Sequence, residues 1–264
     1  MSNGTARDYL LTAQQMAEFA ANGFLVLEEI VPKELNEAVY AEQQQLGHPG
    51  HRYWEQSELI RKVFDLPQVK GALQSFVGSK PVYDHSFLHI VPAQHHKGQE
   101  YHADSVIDTR QYGFDIQAFY FSHDTPDEMG PTLVLPGSHL HNRVNTASIA
   151  RYKNIIGQRR LVSKAGTIAF MHNDIWHCAQ PNYTDRTRYV FKIRLRPGQE
   201  QRALFNTDGY DSPEVGAILK RAQHPWAGNE QRLTQIAAGK FYRYLCGDDR
   251  VDFSFEGVLT RMGM

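Results

Sequence analysis

The hydrophobic pattern of the chain changes period near Lys80 and changes back after Pro197, which restricts the fold to strands framed by helices. Thr12 can cap a helix to about Ala21, stopped by Asn22-Gly23. Phe24-Leu25-Val26-Leu27 then predicts a short buried strand. Val31-Pro32 opens a second helix with Leu35, Ala38 and Val39 on one face and Gly47 past its end. A third helical stretch covers about Ser57 to Val77, interrupted at Pro67. Beyond Lys80, the segments Pro81–Val91, Phe114–Phe121, Pro131–Leu135, Arg159–Ser163, Gly166–Met171 and Arg188–Leu195 are rich in β-branched and aromatic residues. Turns such as Pro136-Gly137 and Pro181-Asn182 separate them. Helical pattern returns over Pro213–Gln223 and Glu230–Leu245. Many short strands with tight turns predict a mainly β sandwich or jelly roll with flanking helices.

The 264 residues suit a single domain, 1–264, and no repeat or linker divides them. Hydrophobic residues at 41% and charged residues at 22% exclude a disordered chain, and a formal net charge of -1 gives no pull towards nucleic acid or a membrane surface. No apolar run is long enough to span a bilayer. Met1–Thr5 lacks a charged-then-apolar leader pattern, and Arg261–Met264 carries no address such as a peroxisomal tripeptide. Cys178 and Cys246 do not make a disulfide framework, so a reducing, cytoplasmic setting is expected. The expected partner is a small-molecule substrate; monomer and homodimer both stay open.

Chemistry enters with His102-Ala103-Asp104. Residues two apart on a strand share a face, so imidazole and carboxylate can converge on one ion. His-x-Asp alone also fits a surface turn. Downstream, Asp174-Ile175-Trp176-His177 follows a Gly-led apolar strand, and several intervening strands allow His177 to return to the same end of a closed sandwich. Two histidines and one carboxylate form the facial triad of non-haem iron(II) oxygenases, which leaves open positions for a bidentate co-substrate and O₂. Arg188 follows His177 after the turn Asn182–Asp185, where a guanidinium could clamp a carboxylate with two parallel hydrogen bonds. Yet Tyr189, Phe191, Ile193 and Leu195 share one face of that strand, and Arg188 falls on the other with Val190, Lys192 and Arg194. Either the apolar face packs on helices outside the sheet, or Arg186 is the clamp.

Three segments resemble the phytanoyl-CoA dioxygenase-like (PhyH) branch of the iron(II)/2-oxoglutarate oxygenases. Tyr101-His102-Ala103-Asp104 is similar to its proximal motif. Glu128-Met129-Gly130-Pro131-Thr132-Leu133-Val134-Leu135-Pro136-Gly137-Ser138-His139 is similar to its stretch ending in PGSH, with Glu128-Met129 in place of the usual Glu-Asn. Trp176-His177, Pro181-Asn182 and Arg188 are similar to its distal motif. Together they span about Gln99 to Arg196; the residues after Pro197 add nothing to the match. The resemblance implies a double-stranded β-helix (a cupin-like jelly roll) with iron(II) on His102, Asp104 and His177. It implies that Arg188 binds the distal carboxylate of 2-oxoglutarate and that Gln99 and Thr132 touch the same co-substrate. Halogenases of the family have a small residue where Asp104 stands, so the chain looks like an oxygenase. The implied reaction consumes O₂ and 2-oxoglutarate, hydroxylates an unactivated C–H bond of a small molecule (a natural product, amino acid derivative or acyl compound), and releases succinate and CO₂. Two other classes compete: a metal-dependent enzyme that does not use 2-oxoglutarate, and a non-catalytic jelly-roll binding protein.

Other conspicuous residues have plainer readings. His139 is expected to be structural, with the Gly137-Ser138 turn tying down backbone. Adjacent His95 and His96 point apart and read as a solvated lid with Lys97. His85, His89, His123 and His172 read as ordinary histidines, Arg159-Arg160 and Lys192/Arg194 as solvated faces, and Cys178 as a buried small residue. Phe119, Tyr120 and Phe121 read as core. Substrate-lining segments are expected at Gly50–Glu55, Pro92–Gln99, Ser105–Gly113, His141–Gly157 and after Leu204.

Overall fold

Thr12 starts the first helix as expected: its hydroxyl accepts from the Gln15 N–H while the Gln15 side chain accepts from the Thr12 N–H, a reciprocal capping box. That helix, α1 (Ala13–Asn22), ends at Gly23 in the left-handed region (φ 81°). A side chain there would be strained, and its Cβ would lie 2.4 Å from the His139 ring. The computed structural model describes residues 6–105, 108, 110–141, 153–221 and 228–248. Among the described residues, no helix is long and apolar enough to cross a membrane.

After β1 (Phe24–Leu27) come α2 (Lys33–Gln45), the short α3 (Tyr53–Gln56), α4 (Glu58–Asp65) and α5 (Pro67–Val77). The expected break at Pro67 is real. Ser57 caps α4 by accepting from the Ile60 N–H, and Pro67 begins α5 at a position where its missing N–H costs nothing. The strands are β2 (Val82–Val91), β3 (Ile116–Phe121), β4 (Leu133–Val134), β5 (Arg159–Arg160), β6 (Thr167–His172), β7 (His177–Cys178) and β8 (Arg188–Arg196). The chain closes with α6 (Pro213–Lys220) and α7 (Gly228–Cys246). The expected helix end near Gln223 lies outside the described residues.

Two antiparallel sheets result: a five-stranded sheet in the order β1-β6-β3-β8-β2, and a three-stranded sheet in the order β5-β4-β7. This is the expected jelly-roll architecture with helices packed on its outer face. β4 and β5 are shorter than the sequence runs that contain them, because only two residues of each pair, and β7 lies outside every strand run read from the sequence.

The faces of the large sheet have different tasks. Its outer face contributes Ile116, Ala118, Tyr120, Ile168, Phe170, Phe191, Ile193 and Leu195 to a core shared with α1, α4, α5, α6 and α7. Its inner face contributes Phe24, Phe119, Phe121, Ala169, Met171 and Val190 to a smaller core closed by Val134 of the opposing sheet. The alternation of β8 is thereby resolved: the apolar set packs on helices, and Arg188, Val190 and Lys192 face inwards.

Candidate metal centre

His177 lies at the middle of a small ladder. On one side it pairs with Val134 of β4; on the other, an isolated bridge joins it to His102 through His102 N–H to His177 O (3.0 Å) and His177 N–H to His102 O (2.9 Å). The sequence reading placed His102-x-Asp104 on a strand. The structure has that single bridge instead, and it suffices to bring His102, Asp104 and His177 to one side. Their ligand atoms all lie within 4.8 Å of one another. His102 Nε2 is 3.7 Å from Asp104 Oδ1 and His177 Nε2 is 3.8 Å from Asp104 Oδ2.

The tautomers follow from the backbone. His102 Nδ1 is 2.8 Å from Glu100 O and His177 Nδ1 is 3.0 Å from Ile175 O. A carbonyl only accepts, so each Nδ1 donates its proton there, and each Nε2 is the ring nitrogen turned towards a metal. Burial pushes His177 down to about 4, against the opposing pull of Asp104. Burial would raise the Asp104 carboxyl, but His177, Lys192 and His102 hold it well below the usual carboxylate range. The donor set is two imidazoles, each with Nδ1 tied to a backbone carbonyl, and one carboxylate, which fits iron(II).

The PGSH segment serves this site from behind. Ser138 Oγ accepts from the Trp176 N–H at 2.9 Å, and the Leu135 N–H donates to Trp176 O at 2.9 Å, fixing the residue just before His177. His139 is buried with Nε2 3.2 Å from Ala20 O, in agreement with a structural role. Cys178 turns away from the site towards Tyr101 and Leu133, and burial raises its thiol to about 11.

Arg188 is 3% exposed. One terminal nitrogen donates to Met129 O at 3.0 Å and Gln180 O at 3.3 Å, while its Nε has no partner. Among the described residues no carboxylate pairs with it, and burial pushes it down to about 10. Gly130 makes the Met129 contact possible: at φ 72° its backbone passes so close to Pro181 that a Cβ would meet Pro181 O at 1.9 Å. Arg186, the other candidate clamp, is exposed.

A cavity of about 270 Å³ joins the two parts, touching His102, His177, Gln99, Thr132 and Arg188. Gln99 Oε1 accepts from the Ala179 N–H at 3.1 Å, which leaves its amide NH₂ to donate. Of the expected lining segments, Pro92–Gln99 contributes, including His95 and Lys97. His95 also bridges Asn182, and His96 packs its ring on Tyr183, so the two point apart. Residues 106, 107, 109 and 142–152, and the chain from 249, lie outside the described residues.

Two residues read as ordinary belong to this site. Lys192 is not a solvated face: its Nζ donates to Asp104 Oδ2 at 2.9 Å, and its side chain is 13% exposed. His89 lines the cavity opposite Val190, and burial together with Lys192 lowers it to about 4. For Lys192 the signal was present in its sharing a face with Arg188; for His89 it needed the register between β2 and β8.

The family described as Phytanoyl-CoA dioxygenase (PhyH) matches residues 5–190. No curated protein matches the sequence significantly. Among solved structures, the chain is similar to the epimerase SnoN in complex with Fe3+, alpha ketoglutarate and nogalamycin RO: 17% identity, TM-score 0.60, covering 70% of this chain and 82% of that one. It is similar to HygX from Streptomyces hygroscopicus with nickel and 2-oxoglutarate bound, at 14% identity and TM-score 0.60, covering 71% and 87%. The carbocyclase SnoK from nogalamycin biosynthesis gives 16% identity and TM-score 0.56, covering 75% and 87%. At these identities the likeness is one of fold.

Proposed function

This chain belongs to the phytanoyl-CoA dioxygenase family, and on that premise we propose that His102, Asp104 and His177 hold its iron(II) and that Arg188 takes the distal carboxylate of 2-oxoglutarate. Family membership makes it a 2-oxoglutarate-dependent non-haem iron enzyme acting on a small molecule. The observation that carries the residue assignment is the buried Arg188 guanidinium, without an acidic partner among the described residues, in the same cavity as His102 and His177. A buried cation left unpaired is costly, and a ligand carboxylate removes that cost.

When bound, iron(II) with 2-oxoglutarate and O₂ supplies the oxidising power to break an unactivated C–H bond, with succinate and CO₂ as co-products. The chain supplies the frame. The carbonyls of Glu100 and Ile175 hold the two imidazoles with Nε2 free. Gln99 and Thr132 line the path between triad and clamp and offer donors to the co-substrate. Lys97, Arg188 and Lys192 make the cavity wall positive, which suits a dianion. Phe119 packs edge-on to His177 with centroids 6.0 Å apart and excludes water from that side.

We assign C–H hydroxylation as the outcome, with residues 1–264 working as one oxygenase domain. SnoN and SnoK, described as an epimerase and a carbocyclase, mark the alternatives on this fold. The test is stoichiometric. Enzyme with iron(II), 2-oxoglutarate and O₂ is expected to form one succinate per O₂ consumed, and a hydroxylated product once a substrate is supplied. O₂ uptake without succinate would leave a metal enzyme that does not use 2-oxoglutarate; neither would leave a binding protein.

A further inference from the structure

Strand β8 turns two cations into the cavity, Arg188 and Lys192, and the second is held against a triad member. Lys192 lies four residues beyond Arg188, roughly 13 Å along the strand. Its cross-strand neighbours are Phe119 on β3 and Phe87 on β2, so two aromatic side chains flank its aliphatic stem on the same face. The ammonium emerges at Asp104 and donates to Oδ2, the oxygen 3.8 Å from His177 Nε2, while Oδ1 lies 3.7 Å from His102 Nε2. Among the described residues Asp104 is its one acidic partner. A lysine this enclosed gives up hydration, and a solvated ion pair would not require a stem gripped by two strands.

We propose that Lys192 is a positioning residue for Asp104. By occupying one carboxylate oxygen it lets Asp104 offer only the other to the metal, so that the neighbouring coordination position stays open for the keto acid. This inference rests on Asp104 being a metal ligand. It makes β8 responsible for both ends of the co-substrate site: Arg188 grips the distal carboxylate, and Lys192 keeps room at the metal. A lysine that merely replaces the metal's charge would act differently, because it would compete with the cation and leave co-substrate binding alone.

The two roles separate in an anaerobic titration of iron(II)-loaded enzyme with 2-oxoglutarate, followed by the charge-transfer band, with metal affinity measured by chelator competition. Lys192→Met keeps the stem and removes donor and charge; Lys192→Gln keeps a donor and removes the charge. Lys192→Met is expected to bind metal at least as tightly as wild type but 2-oxoglutarate about tenfold or more weakly, with Lys192→Gln within about threefold of wild type. Lys192→Leu replaces the Met variant if that one does not fold. Wild-type 2-oxoglutarate binding in Lys192→Met overturns the proposal, as does a Gln variant as weak as the Met variant, which would reduce the effect to charge. A wild-type protein without the band overturns the metal-site reading and the lysine's role with it.

Discussion

His102 and His177 exchange two backbone hydrogen bonds, 3.0 Å and 2.9 Å long, and their rings stand 4.4 Å apart between centroids. A directly paired antiparallel couple places both side chains on one face, so the two imidazoles are set by main-chain geometry. The remaining ligand, Asp104, is two residues from His102 and enters with the same turn.

Because that bridge is made by main chain, His177→Ala should remove a ligand without removing the pairing. The variant is expected to stay folded and to lose iron and turnover. Metal analysis of the purified protein checks this, and full iron occupancy would remove His177 from the site.

Asp104→Gly takes away the carboxylate and leaves a position where an external anion can reach the metal. Hydroxylation is expected to be lost, with weak halide binding visible in the spectrum of the iron(II)–2-oxoglutarate complex on adding chloride or bromide. Unchanged hydroxylation would contradict the ligand role.

Arg188→Ala should weaken 2-oxoglutarate binding by about 2–5 kcal/mol, since it leaves a buried carboxylate without its charged partner. That is roughly 30-fold or more in affinity at about 1.4 kcal/mol per decade. Iron binding should persist. Arg188→Lys should recover only part, because an ammonium lacks the planar fork. Exposed Arg186 should tolerate alanine. The same charge-transfer titration measures all three, and a loss in Arg186→Ala but not in Arg188→Ala would reassign the clamp.

Gly23→Ala tests the fold behind the site. The left-handed backbone at φ 81° and the His139 ring under the new Cβ should together cost about 1–3 kcal/mol. A chemical denaturation series should show a lower midpoint at unchanged slope, and wild-type stability would mean that His139 moves aside freely.

Legibility in the sequence followed the range of the interactions. β1 over Phe24–Leu27 and the Thr12 cap were readable because a short run of residues contains the whole signal. The triad and Arg188 were readable as a motif; His102, His177 and Arg188 line one cavity, and Asp104 lies against the two histidines. β4 and β5 were legible as strands but not in their two-residue extent, and β7, at His177–Cys178, has no period to read; it exists because distant segments meet. Lys192 was misread for a related reason. Alternation along β8 says which residues share a face, but that this face is enclosed depends on Phe87 and Phe119 from two other strands.

The division of β8 into an apolar outer row and a charged inner row ties quality control to chemistry. A one-residue slip would send Arg188 and Lys192 into the helix-covered core and Phe191 and Ile193 into the cavity. No mispaired population could then be sound yet inactive, or active yet unsound. Specific activity in a preparation should therefore track the fraction of correctly registered molecules, which makes turnover itself a folding assay.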